Sequence, residues 1–160
     1  MSQTAMKRPS DSFTTQVQIL TQANLNGYSR LFGGQLMSWM DIVAAVTARR
    51  HSEHNVTTVK VSDLVFVAPA YANDTLVLTG EIVYVGHTSM EIAVCVYVER
   101  LNGERSLINE ARFVMVALDE HEHPAPVPGL ILETEEQRRR WNECAVKRGK
   151  PTLPVKEDRQ

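Results

Sequence analysis

From Leu36 to Ala48 the chain carries neither Gly nor Pro, and apolar side chains fall on nearly every side of a helical wheel: Leu36, Met37, Trp39, Met40, Ile42, Val43 and Val46. The pattern predicts a long helix over about residues 34–51. A helix apolar on most sides is expected to be enclosed by the rest of its fold. One acid, Asp41, interrupts it. A carboxylate placed there is costly unless it has a partner or a task. Arg49 and Arg50 fall in the predicted last turn, where positive charge suits the helix dipole.

The flanking segments read as strands. Residues 13–20 are rich in β-branched side chains and predict a first strand, and 21–30, with Asn24, Asn26 and Gly27, predict a loop. After the helix, apolar positions alternate at Val59 and Val61 and resume out of phase at Leu64 and Phe66. The phase change predicts a bulge or bend at 62–63. Residues 75–85 and 88–100 predict two long strands separated by Gly86 and His87. Met90, Ile92, Val94, Val96 and Val98 share one face of the second at period 2. Asn102-Gly103 is a hairpin signal before a last strand over 106–118. Long strands joined by tight turns predict an antiparallel sheet.

Pro124, Pro126 and Pro128 make 119–129 an irregular linker. Thr134-Glu-Glu-Gln137 is a capping box that opens a second helix, with Gly149 as its stop and Pro151 beyond. The expected organisation is a loose tail over 1–12, one domain over 13–133, a C-terminal helix over 134–149 and a second tail over 150–160. One helix cannot bury all its sides against a flat sheet. The fold class is therefore α+β: a curved antiparallel sheet wrapped around one central helix, with a second copy of the chain covering what remains.

Composition narrows the function. A net charge of −2 over 160 residues offers no broad attraction to nucleic acid. No apolar run approaches the ~20 residues needed to span a bilayer, and no secretory segment opens the chain, so the cytoplasm is the expected location and no membrane partner is expected. Cys95 and Cys144 lack metal or redox spacing. The five histidines form no metal-ligand pattern and are expected at the surface.

The run Asn26-x-x-Ser29-Arg30-Leu31-Phe32-Gly33-Gly34-x-x-Met37-x-x-x-Asp41 resembles the hotdog-fold acyl-CoA thioesterases, in particular the acyl-CoA hydrolase group that includes YciA-type bacterial enzymes. Gly86-His87-Thr88-Ser89-Met90, with Glu99 closing the next strand, and Thr134-Glu-Glu-Gln-x-Arg-Arg-x-Trp141 extend the likeness over about residues 13–148. Ser29 departs from the pattern, which usually has Gly there. The resemblance implies hydrolysis of an acyl-CoA to free acid and coenzyme A, with no cofactor beyond the coenzyme A of the substrate, in a homodimer that often assembles as a trimer of dimers. It implies that Asn26 orients the water or the carbonyl. It also implies a polar side chain from the strand after the helix, for which Thr58 is best placed, with Thr57 as the fallback. The turn Gly86, Thr88 and Ser89 is implied to line the coenzyme A channel. Arg30, Arg100 and the run Arg138, Arg139, Arg140 are candidates for its phosphates.

The residue chemistry suits that reading. Backbone N–H groups of Gly33 or Gly34, free in the first helical turn, would form an oxyanion site for the thioester carbonyl. The structural alternative is a tight turn or close packing. A thiolate leaves with little acid assistance, since thiol pKa values lie near ~8.5. Asp41 would therefore suffice as general base or as nucleophile, and the sequence leaves that choice open. Asp41 lies roughly 10–12 Å along the axis from the glycines at ~1.5 Å per residue, too far for one carbonyl. Two antiparallel helices in a dimer, each start beside the other's Asp41, would close the gap. The competing classes are a hotdog dehydratase or hydratase, which would need a His paired with an acid near the helix, and a non-catalytic acyl-CoA sensor. As a transcription regulator, the sensor would need a DNA-binding module that the ~12 residues before the first strand cannot supply.

Overall fold

The computed structural model describes residues 5–156. Among the described residues eleven elements are present, of which five strands and two helices build the body. β1 (Met6–Lys7) and a single helical turn, α1 (Pro9–Ser12), precede β2 (Thr14–Ile19). A 3-10 turn at Gln22–Asn24 leads through a loop to α2 (Gly33–Ser52). Then come β3 (Asn55–Phe66), β4 (Thr75–Val85), β5 (Ser89–Glu99), β6 (Arg105–Leu118), the short β7 (Gly129–Leu130) and α3 (Glu135–Lys147).

The main sheet is antiparallel with strand order β2-β4-β5-β6-β3, and α2 lies across its inner face. Met90, Ile92, Val94 and Val96 of β5 and Ala111, Phe113, Met115 and Ala117 of β6 face that helix at the expected period. Each of the larger side chains among them, fully buried, contributes ~1.5–3 kcal/mol. Helix and sheet touch most closely at Gly80, where an added Cβ would lie 2.4 Å from Thr47 Oγ1 and 2.9 Å from Val43 Cγ1. The phase change at 62–63 is a real irregularity: the β3–β6 register shifts between Ser62 and Val65, with Asp63 at φ 53. A second shift falls between Thr58 and Lys60.

α3 packs on the opposite, outer face. Its Thr134 cap forms as the sequence predicts, Oγ1 accepting from Gln137 N at 3.1 Å. Trp141 stacks on Tyr84 with ring centroids 4.3 Å apart, and the Arg148 guanidinium covers the same Tyr84 ring. Beneath the helix, buried Glu91 pairs with Arg148 at 3.1 Å and Arg112 at 3.5 Å, and accepts a hydrogen bond from the Cys144 thiol. Burial first, then this bond to Glu91, pushes the Cys144 thiol up to about 12. Cys95 is half-buried on the outer face, in a cavity that Cys144 also lines.

Several expectations need correction. The segment before β2 is not a loose tail within residues 5–12: β1 pairs in parallel with β7, and Lys7 Nζ donates to Arg50 O at 3.0 Å, at the C-terminal end of α2. Pro9 and Ser12 are buried there. Residues 1–4 of the expected tail lie outside the described residues. The second tail is likewise anchored up to residue 156. Asn142 exchanges two hydrogen bonds with the Leu153 backbone, and Lys156 N donates to Glu135 Oε2. Residues 157–160 lie outside the description. The proline-rich linker is irregular as expected and packs on the body, with Ala125 and Val127 buried and β7 at its end. His51 is not at the surface: the N-terminal segment and linker bury it completely, and its Nε2 meets Pro128 O at 2.8 Å.

α2 is not enclosed on all sides within one chain. Ile42 is half exposed, and Asp41 is only partly buried. The neighbouring edge strand β3 exposes Val59, Val61, Val65 and Phe66. The uncovered side of the helix and this apolar edge are therefore continuous.

Candidate active site

Two groups of predicted residues gather at two places along α2. The first is the loop and helix start. Asn26 Oδ1 accepts from Tyr28 N at 2.9 Å and Arg30 N at 3.3 Å, and Asn26 N donates to Arg30 O at 2.7 Å. The side-chain oxygen is thus consumed in shaping the loop. Its Nδ2 makes no hydrogen bond among the described residues and stays available as a donor. Ser29 takes φ 57, the left-handed conformation in which Gly carries no steric cost, so the departure from the family pattern falls where Gly is most useful. Leu31 N to Ala70 O and Phe32 N to Asn24 O then fix the entry to the helix.

Phe32 is the N-cap residue and provides no side-chain cap, so the first-turn N–H groups of Gly33 and Gly34 receive no capping oxygen. A Cβ on Gly34 would fall 2.6 Å from the Phe32 ring, whereas one on Gly33 would sit 3.9 Å from Phe66. Gly34 lets the aromatic ring fold over the turn. Gly33 has open space on its side, and it lines a groove of about 280 Å³ together with Asn26, Arg30, Leu36, Phe66 and Ile108.

The second place is the middle of the helix. Thr58 Oγ1 donates to Asp41 Oδ1 at 2.7 Å. Thr58 is paired with Met115 of the core face, whereas Thr57 pairs with Val116 and points to the other side of the sheet. Of the two threonines, it is Thr58 that reaches Asp41. The Gly86–Ser89 turn, closed by Gly86 N donating to Ser89 O at 2.9 Å, stands nearby: Ser89 pairs with Val116, which pairs with Thr57.

The remaining candidates separate from these groups. Arg100 sits at the far end of β5 from that turn, in an exposed pair with Glu104. Arg138 pairs with Glu135 and Arg139 with Glu136, while Arg140 reaches across to Glu81 on β4 at 3.0 Å. The arginine run fastens α3 to itself and to the sheet. Among the described residues no group of His, Cys, Asp or Glu is arranged to hold a metal, and no helix is long and apolar enough to cross a membrane.

Sequence reasoning passed over Phe66, Ile108 and Asn109. The signal was present in the last case. Asn109 occupies the same alternation as Ala111, Phe113, Met115 and Ala117, a polar residue on an apolar face.

Residues 28–102 match the Thioesterase superfamily. The chain is 33% identical over 138 residues to the uncharacterized acyl-CoA thioester hydrolase YkhA of Bacillus subtilis, covering 82% of this chain and 80% of that protein. An apo-hexameric acyl-CoA thioesterase superposes with a TM-score of 0.86 at 32% identity, over 91% of this chain and 94% of the other. The acyl-CoA hydrolase of Staphylococcus aureus, solved with butyryl coenzyme A, coenzyme A and coenzyme A disulfide, gives 0.84 at 28% identity over 90% of each chain. That enzyme has also been solved with an asparagine, an aspartate or a threonine changed to alanine. Sequence likeness over most of the chain, together with one central helix in an antiparallel sheet, places this protein in the hotdog-fold acyl-CoA thioester hydrolases of the thioesterase superfamily.

Proposed function

We propose that the protein hydrolyses an acyl-CoA thioester to the free acid and coenzyme A, at a site assembled from two subunits. The observation that carries the proposal is the Asp41–Thr58 hydrogen bond on a helix side left uncovered within one chain. Asp41 acts as general base on water or as nucleophile. Thr58 fixes one carboxylate oxygen and leaves the other free to act. Gly33 or Gly34 of the partner supplies the N–H that receives the developing oxyanion, and Asn26 Nδ2 adds a donor beside it. The partner requirement follows from length: seven or eight residues of helix separate the glycines from Asp41, roughly 10–12 Å.

Two further observations support this reading. The exposed apolar stripe of β3, with Val59, Val61 and Val65, borders the uncovered side of α2, as a surface that meets a second copy would. In the S. aureus enzyme, the asparagine, aspartate and threonine changed to alanine are separated by 15 and 17 positions, the same separations as Asn26, Asp41 and Thr58. Assembly of three such dimers into a hexamer is the expected form. For coenzyme A, the turn Gly86, Thr88 and Ser89 borders the Asp41 half of the site, and Arg30 borders the Asn26 half. Arg100 could serve only a site on another subunit.

The test mixes Asp41→Ala with Gly33→Pro chains, co-expressed with different tags so that heterodimers can be isolated. Proline is tolerated at the first helical position and removes only the N–H. With Gly33 as the donor, each homodimer should be inactive and each heterodimer should regain one intact site; a Gly33→Pro homodimer that stays active assigns the donor to Gly34. Verified heterodimers without thiol release would exclude the shared site.

A further inference from the structure

Asn109 lies on β6 between Phe66 of β3 and Val96 of β5. Paired positions in a sheet share a face, and Val96 belongs to the core around α2, so Asn109 points inward. It is completely buried, and neither its Oδ1 nor its Nδ2 finds a partner among the described residues. Native proteins satisfy roughly 90% or more of such groups, so each exception calls for an account. The account here is positional. Phe66, its cross-strand partner, and Ile108, its neighbour in the chain, both line the groove that contains Asn26 and Gly33. Phe66 is 58% exposed on the edge strand, and its ring comes within 3.9 Å of the position a Cβ on Gly33 would take.

We infer that Asn109 is a specificity-determining residue that receives the hydroxyl of a hydroxyacyl chain bound in this groove, the Phe66 ring turning outward to admit it. The inference rests on the thioester-hydrolase reading and adds the substrate class. Both a donor and an acceptor are unpaired on the amide. A hydroxyl both donates and accepts, and so satisfies the pair together. A ketone or a carboxylate only accepts, and a plain alkyl chain does neither. Phe66 and Val96 on either side offer no competing polar atom. A site built to hydrogen-bond a hydroxyl discriminates strongly against the analogue that lacks it, because its own polar atoms are then left unpaired.

The experiment compares butyryl-CoA, 3-hydroxybutyryl-CoA and 4-hydroxybutyryl-CoA by thiol release, on the intact oligomer of wild type and of Asn109→Leu. Leucine keeps the approximate shape and removes both polar atoms. Wild type should favour at least one hydroxylated substrate by ~10-fold or more in kcat/KM, and the variant should lose that preference. Asn109→Thr, which retains one hydroxyl, should keep part of the preference and serves if the leucine variant fails to fold. A wild type that favours butyryl-CoA over both hydroxylated substrates overturns the inference. So does a variant in which all three rates fall together, which would leave Asn109 as a packing residue around internal water. Absence of hydrolysis of every thioester by wild type would overturn the hydrolase reading itself, and this inference with it.

Discussion

Thr58 on the edge strand and Asp41 in the middle of the central helix are joined by a 2.7 Å hydrogen bond across 17 positions of sequence. The bond fixes the carboxylate relative to the sheet and orients its second oxygen. On the proposed mechanism, replacing Asp41 with Asn keeps the shape and removes the base or nucleophile, so kcat should fall by ~10²–10⁴-fold. Thr58→Val removes only the positioning bond. It should lower kcat by ~10-fold or somewhat more and leave KM nearly unchanged, because the threonine acts through Asp41. Steady-state rates of thiol release on one acyl-CoA check both. Equal kcat for wild type and Asp41→Asn would remove this residue from the chemistry.

Ser29 holds a left-handed backbone at φ 57 in the loop that presents Asn26. A non-glycine residue there costs about 1 kcal/mol. Ser29→Gly should therefore raise stability by up to about half a kcal/mol, after the larger chain entropy of glycine in the unfolded state is subtracted. For a chain of this size that corresponds to a rise in Tm of ~1–2 °C. Calorimetry of the two proteins reads this directly, with an unchanged or lower Tm counting against strain at this position.

Much of this architecture was legible because local signals agreed with the global fold. The uninterrupted apolar helix, the phase change before Asp63, the Asn102-Gly103 hairpin and the Thr134 capping box each have one physical reading, and each is present in the fold. The ends were misread. Their polar composition hides that Lys7 completes the last turn of α2 and that Asn142 ties down the segment around Leu153. Such contacts depend on which surfaces meet, and a one-dimensional pattern does not carry that. The burial of His51 was missed for the same reason. At the candidate site, spacing separates Gly33 from Asp41 and the resemblance already ranks Thr58 above Thr57, while the strand register gives the reason that Thr58 faces Asp41 and Thr57 does not.

Gly80 tests the packing of helix against sheet. A methyl group added there would meet Thr47 Oγ1 and Val43 Cγ1 well inside normal contact distance, and both residues are buried with no space to yield. Gly80→Ala should push α2 away from β4 and cost ~1–3 kcal/mol, as overpacked cores do. A denaturant midpoint lowered at constant slope is the expected signature. An unchanged midpoint would mean that the helix shifts freely over the sheet, and the placement of Asp41 would then not be set by this contact.

His51 makes stability depend on pH. Its ring is buried at the C-terminal end of α2, with Nε2 at Pro128 O and Nδ1 without a partner among the described residues. Burial is the main cause that holds its pKa below 6.5; Lys7 adds to the effect, and the Pro128 hydrogen bond and Asp11 oppose it. The unfolded chain, with an ordinary imidazole, takes up a proton near ~6.5, whereas the folded chain resists until a lower pH. Between those two values the unfolded state binds more protons, so stability rises with pH across that window and is fully present above it. Acidification withdraws the contribution until the folded-state pKa is passed. Thermal unfolding followed from pH 7.5 downward should show Tm falling from about 6.5, and His51→Gln, which cannot titrate, should reduce that slope while lowering Tm at neutral pH through the lost fit. Identical slopes for the two proteins would show that the imidazole does not carry the acid sensitivity.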